Sequence, residues 1–120
     1  MKKQDLGQLG EKLALSRLKK NGYRIVEKNY RCRYGEIDII AKHKDCFVFI
    51  EVRSKTGNTY GTPEESITAG KKQKLISTAM NYLEAHPEIN GDWRIDMVAV
   101  ELDNKLQTAT RIDIIQNAIN

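Results

Sequence analysis

The chain has 120 residues, 40% hydrophobic and 30% charged, so it is expected to form one domain, residues 1–120, whose core needs neither disulfides nor a structural metal. Cys32 and Cys46 lack any CxxC or Cys/His spacing, no apolar run approaches the roughly 20 residues that span a bilayer, and the start MKKQDLGQLG has no apolar signal-peptide stretch. A zinc module, a disulfide scaffold and a membrane protein are therefore not expected, a reducing cytoplasm is the expected location, and the net charge of +4 with a pI near 9.1 points modestly to nucleic acid.

Residues 5–20 predict a first helix, with Asp5 as cap and Asn21-Gly22 as stop signal. Leu6, Leu9, Leu13, Ala14 and Leu18 recur at helical spacing on one face, with Glu11 at its edge. A glutamate there is ordinarily solvated. Residues 23–29 predict a short strand at one side of a sheet. Tyr30-Arg31-Cys32-Arg33-Tyr34 then interleaves aromatic and basic side chains, a pattern that can stack bases and contact phosphates. It is equally the pattern of an exposed loop whose tyrosines pack locally. Gly35 relieves the backbone before the next strand.

Residues 36–42 alternate, and 46–54 are almost continuously apolar until Glu51, so both predict strands. With Lys44–Asp45 as the loop, His43 faces Cys46, Lys42 faces Phe47, Ile40 faces Phe49, Asp38 faces Glu51 and Glu36 faces Arg53. Two carboxylates then oppose each other on the face carrying Ile40 and Phe49. Opposed like charges destabilise a sheet, so a raised pKa or a bound cation must offset them. Two carboxylates plus water and phosphate oxygens are a usual environment for Mg²⁺ in phosphoryl chemistry. Arg53 and Lys55 continue along the face of Glu51 as candidate catalytic cations. Lys19, Lys20, Arg24, Lys28, Arg31 and Arg33 precede the acidic pair, and Lys71, Lys72 and Lys74 follow it. That order suits a phosphodiesterase, with carboxylates for an ion and cations for the phosphate backbone.

Lys55 to Pro63 reads as a mobile loop that could grip a substrate strand or only connect elements. Thr62-Pro63-Glu64-Glu65 is a helix-start signature, and the main helix runs from about Thr68 to Ala85. Its expected buried stripe is Leu75, Ile76, Ala79, Met80 and Leu83, with Lys71 and Lys72 one turn upstream. Cations in a first turn oppose the helix dipole, which an anion docked there would relieve; otherwise they snorkel to water. His86-Pro87 ends the helix, and neither His43 nor His86 has a partner at catalytic spacing. Strands follow at 93–102 and 107–115, joined by Asp103-Asn104. Asp96 is expected to pair with a neighbouring Arg or Lys. The order α-β-β-β-α-β-β predicts an α/β fold with a mixed sheet flanked by helices.

Asp38, twelve intervening residues and Glu51-Val52-Arg53 resemble the D…(D/E)-x-K signature of restriction-endonuclease-like nucleases. Gly10-Glu11, Gly22-Tyr23, Asn29-Tyr30-Arg31, Gly35-Glu36-Ile37-Asp38, Gly61-Thr62-Pro63-Glu64 and Arg94-Ile95-Asp96-Met97-Val98 extend the likeness over about residues 7–100. On this ordered set the chain is identified as a member of the YraN-like family of small bacterial predicted nucleases. That family lies within the PD-(D/E)xK superfamily and is similar to archaeal Holliday junction resolvases. The resemblance implies a restriction-endonuclease-like fold and a Mg²⁺- or Mn²⁺-dependent DNA endonuclease acting on branched or damaged DNA. It implies Asp38 and Glu51 as metal ligands, helped by Glu11 and Glu36, while the charge pattern makes Arg31, Arg33, Lys71, Lys72 and Lys74 the candidates for contact with nucleic acid. A homodimer follows by analogy with the resolvases. The chain departs from the signature at Arg53, where lysine is usual. Arginine binds phosphate well but cannot act as a base near neutral pH. Lys55 could substitute, or Arg53 could pair with Glu36. The alternatives are therefore a non-catalytic nucleic-acid-binding module with the same fold, or an interaction domain with a coincidental acidic pair.

Overall fold

Asp5 in the first turn and Arg17, Lys19 and Lys20 in the last complement the dipole of helix α1 (Lys3–Lys20). The chain leaves α1 through Gly22, whose φ of 86° suits glycine at a helix end. The computed structural model describes residues 3–57, 61–103, 105 and 108–119. After α1 come β1 (Tyr23–Cys32), β2 (Gly35–His43), β3 (Cys46–Thr56), a 3₁₀ turn (Glu64–Ser66), α2 (Ala69–Ala85), β4 (Trp93–Asp103) and β5 (Thr108–Ile119). The strands form one sheet in the order β1-β2-β3-β4-β5. Among the described residues, only β3 and β4 pair in parallel, and α2 is the crossover that a parallel pair requires. The result is a mixed five-stranded sheet between two helices, as the element order predicts.

The two helices cover opposite faces. Ala14 and Leu18 of α1 pack with Ile39, Val48, Ile50, Val98 and Val100. Leu75, Ala79 and Tyr82 of α2 pack with Ile37, Ile40, Phe49, Ile95 and Met97. Strands β3 and β4 are buried on both sides, hence their near-continuous apolar runs. Among the described residues, no helix is long and apolar enough to cross a membrane.

Several boundaries differ from the sequence expectation. Strand β1 continues through Tyr30 to Cys32 instead of giving way to a loop. Tyr30 is held there by α2: its ring meets that of Tyr82 edge-on at 5.0 Å, and its hydroxyl donates to Asn81 Oδ1 at 2.6 Å. Strand β5 runs on to Ile119, which is buried opposite Ile95. In α2 the buried positions are Leu75, Thr78, Ala79 and Tyr82, whereas Met80 is 51% exposed. Thr78 tolerates burial because its hydroxyl donates to Lys74 O. Thr62 and Glu65 cap each other reciprocally at the 3₁₀ turn, and Thr68 caps α2 itself. The expected loop lies partly in β3, which extends through Thr56, while its residues 58–60 and Asn104 of the expected turn fall outside the described residues.

Candidate functional site

Lys44, at φ 56°, turns the β2–β3 hairpin. The register runs as expected from His43↔Cys46 through Lys42↔Phe47 and Ile40↔Phe49, and it stops after Ile39↔Ile50. The anticipated Asp38–Glu51 and Glu36–Arg53 ladder pairs do not form. Ile37 and Ile40 both reach the α2-side core, while Ile39 and Ala41 reach the α1-side core. Residues two apart in a regular strand share a face, so β2 turns over at Asp38. Across from it on β1, Asn29 takes a φ of 55°.

In the seam that opens, the Asp38 side chain replaces a backbone acceptor: Val52 N–H donates to Asp38 Oδ2 at 2.8 Å. Asp38 therefore sits at the change of face, not beside Ile40 and Phe49. Glu51 is next to it, close enough for the two carboxyls to share a hydrogen bond. The Glu51 side chain is only 4% exposed. Burial first and the Asp38 charge second push its carboxyl up to about 8, against a partial offset from Lys71 and Arg53. Lys71 Nζ lies 3.9 Å and Arg53 Nη1 3.3 Å from Glu51 Oε2.

From the other side comes Glu11. A Cβ on Gly10 would lie 2.9 Å from Ser54 Cβ, so only glycine lets α1 approach β3 this closely and bring the next residue to the seam. Glu11 is half-buried rather than solvated. Burial and then Asp38 raise its pKa, while Lys28 and the Asn29 amide pull it down. Glu11, Asn29, Arg31, Glu36 and Asp38 line a cavity of about 700 Å³. Asp38 is thus the residue common to the cavity and to the buried Glu51.

The remaining sequence candidates divide. Glu36 pairs with exposed Arg31 at 3.1 Å, so it is not the partner of Arg53. All three guanidinium nitrogens of Arg53 are engaged: Nη1 with Glu51, Nε with Ser66 Oγ and Nη2 with Ser66 O, the last two at 3.1 Å. Lys55 stands in register with Glu101. Lys72 and Lys74 are exposed, and the Arg33 guanidinium lies 4.8 Å from the centre of the Tyr34 ring. Asp96 belongs elsewhere, in an ion pair with Arg94 at 2.8 Å. Sequence reasoning missed Asn29 and Ser66 as partners of site residues. Asn29 stood within a quoted motif, while Ser66 carried no signal.

Among the described residues, no three His, Cys, Asp or Glu side chains converge tightly enough to hold a metal ion. The donor chemistry nevertheless fits a hard divalent cation. Two touching carboxyls, one buried and held up in pKa, can both ionise readily only beside added positive charge.

The model of Uncharacterised protein family UPF0102 matches residues 10–100, which include Glu11, Asp38, Glu51, Arg53 and Lys71. A UPF0102 protein of Clostridium acetobutylicum is 44% identical over 99 residues, spanning 82% of this chain and 81% of its own. One from Moorella thermoacetica is 43% identical over 112 residues, spanning 93% and 92%. Another, from Caldanaerobacter subterraneus, is 37% identical over 116 residues, spanning 97% and 95%. With three-quarters of its length matched by the family model and near-full-length relatives at this identity, the chain belongs to the UPF0102 family, in keeping with the PD-(D/E)xK-like order of its motifs.

Proposed function

We propose that the protein is a metal-dependent DNA endonuclease that hydrolyses phosphodiester bonds in branched or damaged DNA. The observation that carries this reading is the seam: Glu51 buried against Asp38, with Arg53 and Lys71 on one side and Glu11 facing Asp38 on the other. Asp38 and Glu51 would hold Mg²⁺ or Mn²⁺, with Glu11 and Glu36 on the cavity side. Such an ion, when bound, polarises the phosphate and lowers the pKa of the attacking water. The protein's own part is placement. Val52 N–H fixes the Asp38 carboxylate, and burial keeps Glu51 dry, so that its charge acts in a low dielectric. The exposed Arg31, Arg33, Lys72 and Lys74 offer the DNA backbone counter-charge. The preference for branched DNA, and assembly as a homodimer, rest on the likeness to resolvases.

A second reading, DNA binding without cleavage, draws on Arg53. The signature's third position is occupied by a side chain already committed to Glu51 and Ser66. Labelled duplex, single-stranded, flap and four-way-junction DNAs separate the two, with wild type, Asp38→Ala and Asp38→Asn in Mg²⁺, Mn²⁺ or chelator. Cutting that needs the metal and is lost in both variants supports the nuclease. Salt-sensitive binding with no cutting in any metal moves the conclusion to the binding module, and neither binding nor cutting sinks both.

A further inference from the structure

We infer that Lys71, from helix α2, supplies the phosphate-facing cation of this site, the role that the third residue of the signature would fill. The inference rests on the nuclease reading above. Arg53 stands at that position but is not available for the task. Its Nε and Nη2 donate to the side chain and the carbonyl of Ser66, and Ser66 is itself held by its hydroxyl and its N–H on Pro63 O. Turning the guanidinium to a substrate would break both Ser66 bonds and its contact with Glu51. Lys55 stands two residues beyond Arg53, with about 13 Å of strand between it and Glu51, in register with Glu101.

Lys71 has the opposite properties. Among the described residues, its ammonium has one ion-pair partner, Glu51, at 3.9 Å. That is a charge contact too long for a hydrogen bond. A compact ammonium on a flexible stem can leave such a contact for a phosphate oxygen without breaking anything else. Its backbone is fixed: Lys71 N–H donates to Thr68 Oγ1 at 3.1 Å, which pins the residue in the first turn of α2. No acidic side chain occupies that turn. The positive end of the helix therefore adds to the lysine in drawing an anion toward Glu51. Lysine and carboxylates thus meet at Glu51 from different helices, Lys71 from α2 and Glu11, by way of Asp38, from α1.

The test uses the full chain as wild type, Lys71→Ala, Lys71→Arg and Arg53→Ala. The readouts are cleavage of the preferred DNA at saturating metal, Mn²⁺ affinity of the DNA-free protein by calorimetry, and melting temperature. Lys71→Ala should cut about 100-fold more slowly, the loss typical of removing one charge-stabilising group from a transition state. It should bind Mn²⁺ several-fold more tightly, because a competing cation has left Glu51, and it should melt like wild type. Lys71→Arg should recover part of the rate. Arg53→Ala should lower the melting temperature, as expected of a structural tie. Cutting by Lys71→Ala within threefold of wild type overturns the inference and leaves the nuclease intact. Slower cutting with weaker Mn²⁺ binding also overturns it, since Lys71 would then only shape the metal site. A wild type that cuts nothing sinks the nuclease reading and this inference with it.

Discussion

Glu51 couples the stability of this molecule to pH. Its folded carboxyl titrates near 8 against an ordinary 4.5, because burial and then Asp38 disfavour its charge. Between those values the folded state holds the extra proton. The contribution of Glu51 to stability is therefore greatest below the ordinary value, falls as pH rises through the interval, and levels off above it. Glu51→Gln should be more stable than wild type by on the order of a few kcal/mol at about pH 9, and nearly equal to it at about pH 4. Urea unfolding at the two pH values checks this, and an equal effect at both would refute the link. Asp38 makes a second demand, since its Oδ2 accepts the Val52 N–H. Asp38→Asn keeps an acceptor and removes the repulsion, so without metal it should match or exceed wild-type stability. Asp38→Ala leaves a backbone donor unpaired in the seam and should lose about 1–3 kcal/mol. Asparagine as damaging as alanine would show that the charge itself, not the acceptor, holds the strands.

At the level of elements, the approach of α1 to β3 decides whether Glu11 reaches the seam. Gly10→Ala should gain up to about 1 kcal/mol of helix propensity. Its methyl would, however, fall 2.9 Å from Ser54 Cβ, and overpacking of this kind costs about 1–3 kcal/mol. The clash wins. Gly10→Ala should be destabilised and lose metal affinity, and Ser54→Gly in the same chain should restore both. The double-mutant cycle is the measurement, and simple additivity would count against the contact. Much of this framework was legible from local pattern. Helix spacing gave α1 and α2, apolar runs gave the strands, and a two-residue loop gave the hairpin register as far as Ile40 and Phe49. The rest depended on partners distant in sequence. Tyr30 extends β1 because Asn81 and Tyr82 await it on α2. Met80 is apolar enough for a core, but the sheet meets α2 along Leu75, Thr78 and Tyr82 instead. The turnover of β2 at Asp38 changes faces without changing the alternation of residue types, so no periodicity reveals it. The three carboxylates could be named from motif order, whereas the commitment of Arg53 to Ser66 could not.

Across the whole molecule, the ends of four strands are tied by a buried polar cluster. Asp96, fully buried on β4, accepts from Tyr23 OH on β1, Arg94 Nε on β4 and Asn117 N–H on β5, each at 2.8 Å. Arg94 also reaches His43 Nδ1 on β2 at 2.8 Å, and His43 stacks on Tyr23 with ring centres 4.1 Å apart. Every member has a partner, which is the condition under which a buried charge is tolerated. The pairing with a neighbouring arginine is the one expected from sequence. Asp96 is in register with Ile50, one residue from Glu51 on the neighbouring strand. Between Ile95 and Met97, however, it points to the α1 side with Tyr23, whereas Glu51 meets Lys71 of α2, so the cluster secures the sheet from the face opposite the Glu51 carboxyl. Removing one partner of a buried ion pair costs about 3–5 kcal/mol because the other charge is stranded. Asp96→Ala should therefore lose stability of that order, and more than any single change at the surface cations. Molecules that remain folded should keep their Mn²⁺ affinity and their cutting rate, with the folded fraction measured alongside by circular dichroism. Asp96→Asn, which retains an acceptor for Tyr23, should fall between Asp96→Ala and wild type in stability. A folded Asp96→Asn with wild-type stability that no longer bound Mn²⁺ or cut DNA would place Asp96 in the function of the site rather than in the frame that holds it.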